Sequence, residues 1–280
     1  MDKKSVNNSP VSFGIVADLQ YCDSLPTYNR YYRKSPEKLK NAMAEFNKIQ
    51  LHFVINLGDV IDREWRSYDG ILPLFVDLKT PVYHVLGNHD YEVDEKYKPE
   101  VHKKLGTQKY YDFSMENWRF IVLDGNEVST FANQKHTVEF ENADLLLKKL
   151  EKDGAINANF WNGGIGESQL KWMKLTLNDA EKNNQKVIIF CHFPIFPAHR
   201  HNLLNDLQLL KVIGKYNAVK AWINGHNHDG NYGLKDDIHF INVKGMVDTE
   251  FDTAFCVVEL SDDIIKIKGF GTEISARLSI

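Results

Sequence analysis

Short apolar runs recur along the chain, separated by stretches with helical periodicity. The runs are VSFGIVAD (11–18), HFVINLGD (52–59), PVYHVLGN (81–88), RFIVLDG (119–125), KVIIFCH (186–192) and VKAWINGH (219–226). Their apolar residues do not alternate with polar ones, the pattern of strands covered on both faces. Between the runs, PEKLKNAMAEFNKI sets Leu39, Ala42, Met43, Phe46 and Ile49 on one helical face, and ESQLKWMKLTLNDAEKN does so with Leu170, Met173, Leu177 and Ala180. A third helix is predicted in LLNDLQLLKVIGKY, from near Leu203. Strands alternating with amphipathic helices predict an α/β fold, a largely parallel or mixed sheet between helix layers. From His239 the pattern changes to short strands and turns without a helix, which predicts an antiparallel portion completing a second sheet. Residues 127–166 are the least regular stretch and the candidate insertion over a site, within what otherwise reads as a single domain spanning 1–280.

Composition narrows the function classes. The 34 basic and 38 acidic residues leave a net charge of -4, with no long basic run, so nucleic acid is not an expected partner. Cys22, Cys191 and Cys256 are widely spaced and odd in number, which fits a reducing compartment better than a disulfide framework or a thiolate zinc site. The opening MDKKSVNNSP has no apolar core of a signal peptide, and no apolar run is long enough to span a bilayer. A soluble cytoplasmic protein without a membrane partner is expected, a monomer or small homo-oligomer.

The ends of the runs carry the chemistry. Five of the six finish on residues able to bind a divalent cation: Asp18 with Gln20, Asp59, Asn88 with His89, His192, and His226 with His228 in the loop WINGHNHDG. Each alone reads equally well as a turn, cap or core residue. In an open α/β sheet, however, ligands bind beyond the carboxyl ends of the strands, so all five can converge on one crevice.

The series ADLQ, LGDVID, GNHD, CHFP and GHNH, in that order from Phe13 to His228, resembles the motif set of the calcineurin-like metallophosphoesterases. Gln20 stands where that superfamily usually has the histidine of its first motif. With RYYRKS (30–35), NGGIGESQLKWM (162–173), CHFPIFP, GHNHDGNYG and INVKGMVDTE, this substitution is similar to the manganese-dependent ADP-ribose/CDP-alcohol diphosphatase branch. The resemblance implies a four-layer α/β/β/α sandwich of two mixed sheets flanked by helices. It also implies hydrolysis of the pyrophosphate bond of a small nucleotide substrate by a hydroxide shared between two metals: ADP-ribose to AMP and ribose 5-phosphate, CDP-choline or CDP-glycerol to CMP and the phosphoalcohol.

Residue chemistry assigns roles within that frame. Asp59 is the carboxylate able to bridge two cations, with Asp18, Gln20 and His228 completing one position and Asn88, His192 and His226 the other. Two anionic ligands against two dications leave a positive site that attracts phosphate. An amide oxygen in place of an imidazole favours Mn²⁺ over Zn²⁺, with iron or Mg²⁺ as the alternatives. In the GNHD turn of that superfamily the histidine stands near the leaving oxygen, so the resemblance implies His89 as acid or charge stabiliser there, with Asp90 either orienting its ring or serving as a turn residue. Substrate contacts are expected from Arg30, Arg33 and Tyr32, from Asn162 and Gly163 of the glycine loop, and from His199 on the rim, where Arg200 and His201 also lie unless these are solvated loop residues. A phosphomonoesterase or cyclic-nucleotide phosphodiesterase of the same fold is the alternative. A non-enzymatic scaffold ranks below both, because scaffold relatives tend to lose the histidine found here as His89.

Overall fold

The computed structural model describes residues 10–280. Among these residues, twelve strands form two six-stranded mixed sheets. The first contains β1 (Val11–Val16), β2 (Phe53–Asn56), β3 (Val82–His84), β10 (Phe255–Leu260), β11 (Ile264–Phe270) and β12 (Ala276–Ser279), in the order β12-β11-β10-β1-β2-β3. The second contains β4 (Tyr111–Met115), β5 (Trp118–Val122), β6 (Lys186–Phe190), β7 (Val219–Asn224), β8 (Asn231–Lys235) and β9 (Ile238–Asn242), in the order β4-β5-β6-β7-β9-β8. The helices are α1 (Ser35–Phe46), the short α2 (Ser67–Ile71) and α3 (Val101–Lys104), α4 (Val138–Lys152), α5 (Glu167–Lys182) and α6 (Asp206–Ile213).

The unbroken apolar runs follow from this layering, because successive side chains of a strand face opposite ways. Phe13, Ile15, Phe53, Ile55, Phe120, Phe190 and Ile223 face the layer between the sheets. Val16, Val54 and Val257 face outward under Leu39, Met43 and Phe46 of α1. On the other side, Ile121, Val187, Ile189 and Trp222 pack under Leu170, Met173 and Leu177 of α5 and Leu209 and Ile213 of α6. In the middle layer Phe13 stacks on Phe53 with centroids 4.7 Å apart, and Phe120 and Phe190 meet Phe13 edge-on. Burying one such ring contributes about 1.5–3 kcal/mol, so this stack is a main tie between the sheets.

β1, β2 and β3 run parallel, as do β5, β6, β7 and β9, which gathers their carboxyl ends along one rim of the sandwich. Three details correct the expectation from sequence. The C-terminal region does not complete one sheet: β9 joins the second sheet parallel to β7, whereas β10–β12 extend the first sheet antiparallel from β1. The crossover between them, residues 243–254, runs beneath the rim and donates Met246 N–H and Val247 N–H to the carbonyls of Ala17 and Asp18. The 127–166 stretch is not merely irregular, since it contains α4, capped by Thr137 Oγ1 accepting from Phe140 N–H. The third helix begins at Asp206 instead of Leu203, and the residues ahead of it are tied to neighbouring loops, Leu203 N–H to the Pro194 carbonyl and Leu204 N–H to the Gly163 carbonyl.

Candidate metal centre

The rim residues named from sequence meet where the two sheets face each other. Asp18 and Gln20 follow β1, Asp59 follows β2, Asn88 follows β3, His192 follows β6, and His226 and His228 follow β7. Asp59 occupies the middle: its Oδ2 lies 3.0 Å from Gln20 Nε2 and 3.3 Å from His192 Nε2. His192 Nε2 is 3.2 Å from Asn88 Oδ1, and His228 Nε2 is 3.4 Å from Asp18 Oδ1. Donor atoms of Asp59, His192 and His226 all lie within 4.8 Å of one another, and all three residues are buried. Asp18, Gln20, Asp59 and His226 hold positive φ angles of 52°, 43°, 55° and 66°. Left-handed backbone costs a non-glycine residue about 1–2 kcal/mol, so four such residues around one cluster mark strain kept for a purpose. Close packing adds to the constraint. A side chain at Gly87 would collide with Asp59, and one at Gly225 would come within 2.5 Å of Asp18 Oδ2.

The hydrogen bonds around the three imidazoles decide which nitrogen faces inward. His192 donates Nδ1–H to the Leu57 carbonyl at 2.8 Å, which directs Nε2 to the cluster. His228 donates Nδ1–H to Asp248 Oδ1 at 3.0 Å, with the same result. His226 is the reverse case. Asn162 spends Nδ2 on the carbonyls of Asn157 and Arg200, so its Oδ1, 3.0 Å from His226 Nε2, accepts that proton and leaves Nδ1 with the lone pair. Fixing the outer nitrogen of an imidazole is how proteins orient a metal-binding histidine. Gln20 supplies a further test of fit. Its Oε1 is buried without a partner while Nε2 faces Asp59. With the amide turned over and His228 deprotonated, Oε1, Asp59 Oδ2 and the His228 lone pair would converge, an arrangement of acceptors that a cation stabilises. The donor set therefore fits divalent metal.

Protonation is linked to that fit. Burial opposes charge on His192 and His228, but Asp59 raises His192 to about 9, and Asp18 with Asp248 raises His228 to about 10. Burial and the neighbouring His192 push His226 well down, so it is neutral. A ligand imidazole must be unprotonated, so cation binding has to expel the inward protons of His192 and His228. Affinity should then rise with pH, and Mn²⁺ titration of metal-free protein at pH 7 in buffers of different ionisation enthalpy should report about two protons released. Release of none would show both rings already neutral. The sign for stability is opposite. Raised histidines stabilise the metal-free fold fully below their unfolded value of about 6.5. That contribution is lost as pH climbs through the folded values of about 9 and about 10.

Above the cluster lies a cavity of about 340 Å³, lined by Gln20, Arg30, Asp59, Asn88, His89, Glu92, Phe160, Trp161, His201, His226 and His228. His89 stands on its wall with Nδ1 given to the Asp62 carbonyl at 3.0 Å, which leaves Nε2 as its free nitrogen. Several expectations are corrected here. Asp90 does not orient the His89 ring: its carboxylate accepts from the backbone N–H groups of Asp59, Val60 and Gly87, binding two ligand loops together, and Asp62 holds the ring instead. Burial, then the Asp59 charge, pushes Asp90 up to about 7 against those amides. Tyr32 is buried with Cys22 and Val247, and Arg33 turns to solvent to pair with Asp23 at 2.6 Å, so only Arg30 of that stretch reaches the cavity. Gly163 packs on the Gly125 carbonyl, a contact that excludes any side chain. Asn162 serves His226, and of the rim residues His199, Arg200 and His201 it is His201 that lines the cavity. Missed altogether were Glu92, Phe160 and Trp161, and Asp248 stood within INVKGMVDTE without a role.

Comparison with known proteins agrees with this geometry. Residues 11–230 match the family described as calcineurin-like phosphoesterase. A relative from Arabidopsis thaliana named manganese-dependent ADP-ribose/CDP-alcohol diphosphatase is 31% identical, covering 92% of this chain and 93% of its own. The mouse protein of the same name is 28% identical over 97% of this chain and 96% of its own. Among solved structures, a dimetal phosphatase from Danio rerio superposes with a TM-score of 0.87 at 25% identity, covering 97% of this chain and 99% of that one. Two mixed sheets flanked by helices, a buried donor cluster at their shared rim and a matching run of sequence lead to one assignment: this chain belongs to the calcineurin-like phosphoesterase family and is a metal-dependent phosphohydrolase.

Proposed function

We propose that the chain hydrolyses the pyrophosphate bond of nucleoside diphosphate-linked substrates, such as ADP-ribose and CDP-alcohols. Asp18, Gln20 and His228 would hold one divalent cation and Asn88, His192 and His226 a second, with Asp59 available to both, and the set would favour Mn²⁺ over Zn²⁺. The observation that carries the reading is Gln20, whose partnerless Oε1 sits in a buried donor set where an amide oxygen makes the site harder than an imidazole would. The relatives named for this reaction, similar over nearly their whole length, support the same substrate class.

When bound, the cations supply an activated water and neutralise phosphate charge. The chain's own residues do the rest. Arg30, on the cavity wall and 3.8 Å from Asp62, offers a guanidinium to the second phosphate. With Nδ1–H given to the Asp62 carbonyl, His89 would donate to the departing oxygen only as an imidazolium, passing its Nε2 proton as the phosphorus–oxygen bond breaks and keeping the Nδ1 one. Phe160 and Trp161 provide an apolar wall for the nucleoside. Asp62 holds His89 and Arg30 together on one side of the cavity.

The test is a substrate panel with metal-stripped protein to which Mn²⁺, Mg²⁺ or Zn²⁺ is returned. Stripped protein should be inactive, and Mn²⁺ should restore more activity than Zn²⁺. ADP-ribose should yield AMP and ribose 5-phosphate, and CDP-choline CMP and phosphocholine. Reaction in ¹⁸O water should put the label on one product, reporting the phosphorus attacked. Much higher kcat/KM for cyclic nucleotides or simple monoesters would overturn the substrate assignment, and full turnover after stripping would overturn the metal requirement.

A further inference from the structure

One buried charge lies outside the metal cluster and outside every role assigned so far. Lys38, in α1, is 2% exposed, and its ammonium enters a loop formed by residues 246–249. It donates to the carbonyls of Met246 at 2.9 Å, Asp248 at 2.7 Å and Thr249, with the Val247 carbonyl at 3.5 Å. Four successive carbonyl oxygens thus point at one nitrogen. An ammonium has three N–H groups, and the three nearer oxygens satisfy them. Successive carbonyls left to themselves repel one another when turned to a common point, so this curl, with Thr249 at a φ of 65°, needs a positive charge at its centre. Burial pushes the ammonium down to about 8, and Asp248 and Asp252 pull it back up.

The loop is also where the metal site meets its support. Its amides pair with Ala17 and Asp18, Tyr31 N–H donates to the Val247 carbonyl at 2.9 Å, and Arg30 forms a β-bridge with Asp248. The Asp248 carboxylate receives His228 Nδ1–H. We propose that Lys38 is the built-in monovalent cation of a four-carbonyl site, and that through the 246–249 loop it positions Asp248 against His228 and seats the Arg30 segment. Lys38 is a positioning residue that touches neither metal nor substrate, and its link to the centre rests on the proposed ligand role of His228.

A lysine acting as a fixed cation can be replaced by a free one. Lys38→Ala removes the atoms of a propylammonium ion, so metal-free variant protein should melt about 2–4 °C higher in propylammonium, ammonium or potassium chloride than in tetramethylammonium chloride of equal ionic strength. The wild type should not discriminate among these salts. Calorimetric Mn²⁺ affinity of Lys38→Ala should fall about 10-fold or more and recover with the same cations, while Asp248→Ala should show the same fall without recovery. Lys38→Met, which fills the channel with an uncharged chain, serves where Lys38→Ala does not fold in sodium; recovery of either in ammonium supports the proposal, and failure of both in every salt overturns it. Equal melting of Lys38→Ala in all the salts also overturns it. If Asp248→Ala weakens Mn²⁺ binding and Lys38→Ala does not, the link through the loop fails. If neither weakens it, the ligand role of His228 fails as well, while salt-selective melting would still support the cation site.

Discussion

Asp59→Asn should abolish turnover, by about 10³-fold or more, the scale of several kcal/mol of charge stabilisation withdrawn from a phosphoryl-transfer site. The substitution keeps the shape and can still accept His89 N–H, which lies 2.8 Å from Oδ1, so the loops should hold. What it removes is the central negative charge. Oδ2 faces Gln20 and His192 together, so loss of charge weakens both halves of the donor set, whereas loss of Asp18 or Asn88 weakens one. Burial disfavours the Asp59 carboxylate, yet His192 and His89 hold its pKa well down, and in return it keeps His192 protonated before metal arrives. In Asp59→Asn that proton should be lost, and with it one of the protons expelled on Mn²⁺ binding. Metal analysis, kinetics and proton release on one preparation check this together. A variant with full metal content and activity within about 10-fold of wild type would remove Asp59 from the centre of the mechanism.

His89→Ala should separate rate from metal content. The ring is held through Nδ1 by the Asp62 carbonyl and stands on the cavity wall, outside the Asp59–His192–His226 cluster. Its backbone N–H to Asp59 survives truncation. Metal occupancy should therefore stay near wild type while kcat falls about 10²-fold or more, the contribution expected of a positioned acid. A substrate whose departing oxygen is a weaker base should lose less, because it needs less help from a donor. Occupancy falling in step with rate would make His89 a ligand instead.

The residues legible in the sequence were those that end β1, β2, β3, β6 and β7, because chain direction in a parallel sheet forces strand ends together whatever lies between them. Residues read from mere adjacency fared worse. Asp90 follows His89, but the tight turn at 89–91 sends its carboxylate back to the Asp59 and Val60 amides. The RYYR stretch was read as a unit facing substrate, yet a turn of 3-10 helix from Tyr32 to Lys34 puts Tyr32 inside and Arg33 outside. Asp248 lay inside the stretch INVKGMVDTE but received no role, since the loop between β9 and β10 has no periodicity and its contact with His228 depends on the crossover between sheets. β4 was also passed over. Its partly exposed YDFSM pattern is weaker than a fully buried run, although it pairs with β5 throughout.

The donors divide between the sheets: Asp18, Gln20, Asp59 and Asn88 belong to the first, and His192, His226 and His228 to the second. Asp18 accepts from His226 N–H across 208 residues of sequence. During synthesis, a chain that has emerged only through β3 therefore displays half a centre, with no imidazole from β6 or β7 to close it. Contacts so distant form late, after loop-closure entropy has been overcome. A divalent cation that takes donors from both sheets would reach its full set only after they have closed, so its tightest binding should follow folding and stabilise the closed state.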